Sequence, residues 1–273
     1  MTDCIPQLVF SFYRHQPIHA DFSGGQITSD AGLLPLHAFD QRHHLTRDLA
    51  QLLSDPRQGN RLHHDSLALL RQRIYQIVAG YEDTNDADRL RHDPLLQIVA
   101  DQPLGQALGS QPTLSRWENA PGARDLVRLN DALLEQFLRL GGEQVRKRGE
   151  ILLDIDSTDD PTHGQQQLSF FNGAYDQHMY HPMLIFERHT GCLLAARLRP
   201  GNASSHARIV PMLLRLVPRL QSAFPGVPIK LRGDAGFALP LLYLFCEFFG
   251  IQYAFGIPAN CVFQQRAEPR QNS

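Results

Sequence analysis

The second half of this chain is built from short apolar runs of strand length, separated in places by two longer segments of helix length. The runs are ILLDID, HPMLIFER, CLLAARLRP, VPIKLRGD and IQYAFGI, and the longer segments are residues 205–223 and LPLLYLFCEFFG. The first three runs are close enough in sequence to pair antiparallel, whereas the later strands need helical crossovers and should be parallel. This order predicts an α/β layered domain with a mixed sheet.

The two helix-length segments carry their own burial patterns. In residues 205–223 the apolar side chains that share one stripe are Ile209, Leu213, Leu216, Val217 and Leu220. In LPLLYLFCEFFG the helix is expected to end at Gly250.

The first half of the chain has a helical pattern from Thr28 to about residue 140. In DSLALLRQRIYQIVAG, Asp65 can cap a helix that Gly80 ends. Arg71 and Arg73 are expected on the solvated face of this helix. Its expected apolar stripe is Leu67, Leu70, Ile74, Ile77 and Val78.

These patterns predict a division of the chain into successive parts. The expected parts are an extended N-terminal segment (1–26), a helical domain (27–140), a polar glycine-flanked linker (141–149), an α/β core (150–262) and a polar tail expected to be disordered (263–273).

The composition indicates an ordinary globular protein. Of its residues, 42% are hydrophobic, which is enough for a buried core. The formal net charge is −2, so the chain as a whole lacks the positive charge that would indicate a nucleic-acid partner. No CxxC pair, signal peptide or run of 18 apolar residues is present. We therefore expect a cytoplasmic protein with reduced thiols and no membrane partner.

Two acidic motifs, LLDIDST and IKLRGDAGF, lie at the carboxyl ends of predicted strands. Open α/β sheets place ligand sites at such ends. Asp156 and Asp234 would repel each other at close range unless a cation lay between them. Mg²⁺ or Mn²⁺ suits a site made only of oxygen ligands, and such a site suits phosphoryl transfer.

The other aspartates near the first motif need separate readings. Strand alternation cannot separate Asp154 from Asp156, because residues two apart face the same side. Asp159 and Asp160, ahead of Pro161, are expected to be capping or turn residues.

Several longer motifs together resemble the DDE-type transposases of bacterial insertion sequences, in particular insertion-sequence family thirteen-eighty. The resemblance extends to about Gln265. It is carried by DIDSTDDPTHGQQ, SFFNGAYDQHMYHPMLIF, LLAARLRPGNASSH and LRGDAGFA, and in the first half by FSGGQITSDAGLLPL, DTNDADRLRHDPLLQ and TLSRWENA.

The resemblance implies a ribonuclease H-like mixed sheet preceded by a helical, DNA-binding domain. It implies that Asp156 and Asp234 are catalytic and bind Mg²⁺ or Mn²⁺, with no further cofactor. The implied reaction is cleavage of transposon ends and then strand transfer, with water and a 3′ hydroxyl as the attacking groups. The implied partners are terminal inverted repeats, target DNA and a second copy of the chain assembled on DNA, in the bacterial cytoplasm and associated with the nucleoid.

One departure from the family pattern concerns a third carboxylate. The family carries a glutamate in a Tyr-x-x-Arg-x-x-x-Glu-x-x-x-x-x-x-Lys signature, and no tyrosine here is followed by that pattern. After Asp234, Glu247 lies too early and Glu268 lies in the polar tail. We therefore expect a C-terminally truncated form whose core is incomplete beyond its first five strands and whose activity is weak or absent.

Alternatives remain open at this stage. DIDST also fits the first motif of haloacid dehalogenase-type phosphatases, with Asp154 as nucleophile, although the late motif of that family has an aspartate where this chain has Ala238. A truncated chain could also bind transposon ends without cutting them, or have no role at all. His163 and His206 lie near the acidic motifs, where each could contact a DNA phosphate, assist the site or simply be solvated.

Overall fold

The computed structural model describes residues 8–20, 30–55, 57 and 63–257. The chain divides into two compact units, Met1–Leu129 and Asn130–Ser273. The expected tail 263–273, with Glu268, lies outside the described residues, and so do residues 1–7 and 21–26 of the expected segment 1–26. In the described part, no helix has the length and apolar character needed to cross a membrane.

The first unit contains a short antiparallel hairpin and a series of helices. Its elements are β1 (Leu8–Phe10), β2 (Ile18–Ala20), α1 (Leu33–His43), α2 (Leu45–Ala50), α3 (Ser66–Val78), α4 (Ala87–Leu90), α5 (Pro94–Val99), α6 (Gln111–Glu118) and the beginning of α7 (Ala123–Leu140).

Helix α3 begins and ends as its sequence predicts. The Asp65 carboxylate accepts a hydrogen bond from the backbone N–H of Ala68 at 2.7 Å, which satisfies a free donor of the first turn. Gly80 follows the helix with φ +89°, a conformation that glycine adopts at low cost.

The predicted apolar stripe of α3 is wrong. Ile77 and Val78 are 46% and 58% exposed, whereas Arg71 and Gln72 are fully buried. Arg71 is buried because its guanidinium donates to the Asp40 carboxylate at 3.2 Å, so the charge has a partner inside the unit. The expectation that Arg71 lies on a solvated face is therefore also wrong.

After the end of α7, the second unit contains a helix, a run of six strands, and then helices alternating with strands. Its further elements are α8 (Gly142–Arg148), β3 (Ile151–Ser157), β4 (Asp160–Pro161), β5 (Phe170–Asn172), β6 (Gln177–Tyr180), β7 (Met183–Glu187), β8 (Cys192–Arg197), α9 (Ile209–Ala223), β9 (Ile229–Gly233), α10 (Pro240–Phe249) and β10 (Gln252–Phe255).

The main sheet of the described residues is five-stranded, in the order β10-β9-β3-β7-β8. Strands β3, β7 and β8 pair antiparallel, while β9 runs parallel to both β3 and β10. The predicted mixed sheet is therefore confirmed. Strand β3 is central and alternates, with Ile151, Leu153 and Ile155 buried in the core and the intervening side chains more open.

Helix α9 covers the core face as predicted. All five residues of its expected stripe are buried, including Leu213 and Val217. Helix α10 ends at Gly250, which has φ +65°. Because β9 runs parallel to β3, the carboxyl ends of the two strands lie at the same edge of the sheet.

A second, three-stranded antiparallel sheet of order β4-β6-β5 lies between β3 and β7 in the sequence. The sequence did not predict these strands. They are short and mostly exposed, so they lack the alternating apolar pattern that marks a half-buried strand.

The segment 141–149, predicted as a linker, is instead largely the helix α8. Its Val145 is 2% exposed and belongs to the same apolar core as Leu134 and Phe137 of α7. The buried side chain of Val145 anchors the segment in the core. Because its neighbours in the sequence are polar or charged, no apolar periodicity indicates a helix here. The boundary between the units falls earlier, after Leu129, so the end of the expected helical domain belongs to the second unit.

Candidate active site

The register of β3 and β9 brings the two acidic motifs together. Asp154 pairs with Arg232 in the parallel ladder, and the same register continued two residues further sets Asp156 beside Asp234. Neighbouring strands are about 4.8 Å apart, so the two carboxylates share one end of the sheet.

Gly233 supports this continued register. A Cβ atom at position 233 would lie 2.9 Å from Cγ1 of Ile155 and 3.0 Å from the ring of Phe237. Both distances are too short for ordinary packing, so a larger residue here would clash with the side chains of Ile155 and Phe237. This tightly packed position immediately precedes the two carboxylates.

A tight turn holds the backbone of Asp234. The strand ends at Gly233, and Asp234 caps a short 3₁₀ turn, Ala235–Phe237, by accepting a hydrogen bond from Gly236 N at 2.8 Å. Phe237 is fully buried and anchors the turn in the core. One oxygen of Asp234 is therefore oriented by the backbone, and the carboxylate stays exposed.

Asp154 and Asp156 have different surroundings although they face the same side of β3. Arg232 donates two hydrogen bonds to the Asp154 carboxylate, at 2.8 and 2.7 Å. The carboxylate of Asp156 is exposed and has no hydrogen bond or ion pair within the described residues. The structure therefore makes the distinction that strand alternation leaves open: Asp156 is the carboxylate available to a ligand.

Tyr175 extends the site towards the small sheet. Partial burial raises the pKa of its hydroxyl, and the negative charges of Asp159, Asp156 and Asp234 raise it further. The three carboxylates therefore act on a single phenol. Asp159 also accepts a hydrogen bond from Gln177 of β6 at 2.8 Å, which ties its carboxylate to the small sheet.

A cavity of about 470 Å³ adjoins the turn after Asp234. Its walls are formed by the segment around β5, by the loop that precedes α9 and by Gly236. The lining residues are Phe171, Asn172, Gly173, Ala174, Tyr175, His181, Asn202, Ala203, Ser204, Ser205, His206 and Gly236.

Buried polar groups stand behind this cavity. Arg199 is 3% exposed and donates to the backbone carbonyls of His181, Ser204, Ser205 and Ala207. Burial lowers the pKa of its guanidinium from the ordinary value. The sequence singled out His206 but gave no signal for Arg199, which looks like any strand-end arginine until its partners are known.

We compared the sequence of the chain with those of known protein families. Residues 10–273 match the family described as transposase DDE domain group 1.

The chain belongs to this transposase DDE domain family.

Solved structures with some likeness are also transposases. The piggyBac transposase synaptic complex with hairpin DNA is 13% identical, with a TM-score of 0.36, over 83% of this chain and 51% of that chain. The Mos1 transposase paired-end complex with left transposon end is 14% identical, with a TM-score of 0.28, over 86% of this chain and 61% of that chain. The chain thus spans about half to three fifths of their length. No curated protein matches it.

The family name refers to acidic residues, and such transposase domains generally use divalent metal ions. Within residues 8–20, 30–55, 57 and 63–257, no group of three or more His, Cys, Asp or Glu side chains is arranged to hold a metal. Asp156 and Asp234 fit such an ion as two oxygen ligands, because both are exposed and lie side by side. Asp154 and Asp160 do not join them as a third ligand.

Proposed function

We propose that this chain is the transposase of an insertion sequence of family thirteen-eighty, and that it cleaves transposon ends and transfers the cut strand into target DNA. The observation that carries the proposal is the side-by-side position of Asp156 and Asp234 at the ends of parallel strands, with Asp156 left unpaired in the described residues. Membership of the transposase DDE domain family supports it.

A ribonuclease H-like core is part of the proposal. Three antiparallel strands with a central first strand, followed by two parallel strands on its other side, support this assignment. In such a core the two carboxylates would hold Mg²⁺ or Mn²⁺. The bound metal would supply activation of an attacking oxygen and stabilisation of the leaving oxygen.

The chain's own residues have separate tasks in this proposal. Asp156 and Asp234 would hold the metal, and the hydrogen bond from Gly236 N holds one oxygen of Asp234 in a fixed direction. Arg232 neutralises Asp154, so this third charge neither competes for the ion nor adds to the repulsion. The carboxylates of Asp156 and Asp234 are therefore separate from the ion pair between Arg232 and Asp154.

The activity of the chain by itself should be low. The chain does not contain the tyrosine, arginine and glutamate signature of the family, and two carboxylates hold a divalent ion less tightly than three. We therefore propose that the purified chain binds Mn²⁺ weakly and cuts DNA slowly or not at all at ordinary Mg²⁺ concentrations.

The helices of residues 27–140 are proposed to bind the terminal inverted repeats, and a second copy of the chain is proposed to join on the DNA. A gel-shift assay on repeats taken from the DNA that flanks the gene tests this binding. The affinity should fall steeply with salt, because phosphate contacts release counterions. Affinity for the repeats with no cleavage at any metal concentration would favour the non-catalytic end-binding alternative.

The decisive experiment measures the metal site directly. Mn²⁺ is added to the wild-type chain and to the Asp156→Asn, Asp234→Asn and Asp154→Asn variants, and free Mn²⁺ is read by electron paramagnetic resonance. The first two variants should lose the bound ion, and Asp154→Asn should keep it. Cleavage of labelled end DNA at high Mn²⁺ should follow the same order. Equal Mn²⁺ binding by all four proteins contradicts the proposal.

A further inference from the structure

The cavity beside Asp234 has a polar lining, and buried nitrogen atoms without hydrogen-bond partners in the described residues belong to it or lie behind it. We propose that it binds a phosphate group, and that in the transposase this group is a phosphodiester of the DNA strand next to the one that reaches the carboxylates. The identification of DNA as its source rests on the proposed function. The phosphate site itself rests on the cavity.

The wall of the cavity formed by residues 202–206 is rich in hydrogen-bond donors. Ser205 contributes a hydroxyl and Asn202 an amide, while the Ser204 hydroxyl and Nε2 of His206 lie 3.2 Å apart and share a hydrogen bond. No carboxylate lines the cavity, although Asp159, Asp156 and Asp234 lie near enough to Tyr175 to raise the pKa of its hydroxyl. A donor-rich wall without acidic side chains suits an acceptor such as a phosphate oxygen.

A buried positive charge lies directly behind this wall. Arg199 donates to the carbonyls of His181, Ser204 and Ser205, all of which line the cavity. Its Nη2 is buried without a hydrogen-bond partner, and within the described residues no carboxylate forms an ion pair with it. A buried guanidinium without a counter-charge is unfavourable, so an anion in the cavity would stabilise it.

His181 supplies a second unsatisfied nitrogen. The residue is 2% exposed, and its Nδ1 lies 2.8 Å from the carbonyl oxygen of Ala203. A carbonyl only accepts, so Nδ1 donates, and Nε2 is left buried with no partner in the described part of the chain. A phosphate bound in the cavity would give this nitrogen the hydrogen-bond partner that it lacks among the described residues.

Two aromatic residues of the cavity suit the rest of a nucleotide. Phe171 and Tyr175 line the cavity and are 51% and 41% exposed. Exposed aromatic rings beside a phosphate site offer surfaces on which a sugar or base of the same strand can pack. The contact between Ser205 and Gly236, where a Cβ would lie 2.9 Å from Ser205 Cβ, joins this site to the Asp234 turn.

The test uses the full chain with ¹⁵N-labelled histidine and inorganic phosphate as the probe. The background is the Asp156→Asn/Asp234→Asn double variant with a chelator present, so that phosphate cannot bind through a metal. The His181 ring resonance is identified by its loss in His181→Gln. It should shift saturably as phosphate is added, and the exposed His163 should not. No shift of His181 overturns the phosphate site.

Two further variants test the wall itself. Arg199→Gln keeps side-chain donors but removes the charge, and should raise the phosphate Kd about tenfold. Ser205→Ala keeps the Cβ that packs on Gly236 and should raise Kd by about threefold even if Arg199→Gln does not fold. An unchanged Kd in Ser205→Ala overturns the assignment of the donor wall.

The source of the phosphate is separated with dinucleotides. The thymidine dinucleotide dTpdT should displace inorganic phosphate from the His181 signal, and its uncharged methylphosphonate analogue should not. Binding of inorganic phosphate without displacement by dTpdT would mean a free-anion site and overturn the DNA assignment. Because these measurements need no metal and no cleavage, they succeed or fail independently of the Mn²⁺ experiment on the carboxylate pair.

Discussion

Arg232 and Asp154 form a two-point ion pair across adjacent parallel strands, with N–O distances of 2.8 and 2.7 Å. This pair distinguishes the two aspartates of strand β3. Asp154 is committed to Arg232, and Asp156, two residues along the same face, is left for a ligand. The geometry also removes the main support for a phosphatase, since that reading needs Asp154 as a free nucleophile.

The Asp156→Asn and Asp154→Asn variants should therefore differ in their affinity for Mn²⁺. Asp156→Asn should weaken Mn²⁺ binding at least tenfold, since it removes one of two charged ligands, an effect on the order of that seen when metal sites lose supporting groups. Asp154→Asn should change it less than about twofold, because Arg232 already neutralises that group. Titration calorimetry with Mn²⁺ measures both. Loss of binding in Asp154→Asn alone would restore the phosphatase reading.

Gly233→Ala should destabilise the second unit by about 1–3 kcal/mol, the usual cost of forcing an extra methyl group into a packed region. The new Cβ would lie 2.9 Å from Cγ1 of Ile155, in the interior of the sheet. Gly173→Ala is the matched control, because a Cβ there meets no atom within 4 Å. Urea unfolding followed by circular dichroism measures both. Equal midpoints for the two variants would contradict the tight packing around Gly233.

Arg71→Met should destabilise the first unit by about 3–5 kcal/mol, because it leaves the buried Asp40 carboxylate without its cation. The matched control is Arg89→Met, whose side chain is 71% exposed and lies 3.5 Å from Asp86. That surface pair should be worth less than about 1 kcal/mol. Thermal unfolding monitored by the fluorescence of Trp117, which lies in the same unit, reads the difference. Similar losses in both variants would rule out a special role for the buried pair.

Stability should fall at alkaline pH through Cys246. Burial raises the pKa of this thiol to about 11 from its ordinary value of 9.0. The folded chain therefore holds a proton that the unfolded chain releases, so this contribution is complete below pH 9 and is lost as pH rises towards 11. Cys246→Ala should show a shallower decline between these values in urea titrations at successive pH. An identical decline would show that other groups control it.

The α/β half of the fold is predictable because each of its elements has a strong local signal. The alternation of β3, the apolar stripe of α9 and the glycine after α10 give the strand and helix order, and the short connections give the pairing. The convergence of Asp156 and Asp234 follows from that order, since both end strands that turn out to be neighbours.

The rest depends on contacts between residues distant in sequence. The inner face of α3 holds Arg71 and Gln72, which are buried only because partners such as Asp40 and the Gly109 backbone meet them there. Val145 is a lone apolar residue in a charged helix, and no periodicity marks it. Likewise Arg199 becomes distinctive only when the loop of residues 203–207 wraps around its guanidinium.

The small sheet of β4, β5 and β6 leaves the core and returns to it at almost the same point. The backbone N–H of Thr158 donates to the carbonyl of Pro182 at 3.1 Å, so the two ends of the excursion meet beside the last residues of β3 and the first of β7. A segment anchored in this way can be lengthened, shortened or exchanged with little disturbance to the strands that bear the aspartates. In the proposed transposase, such changes would alter the wall of the cavity while Asp156 and Asp234 keep their positions in the sheet.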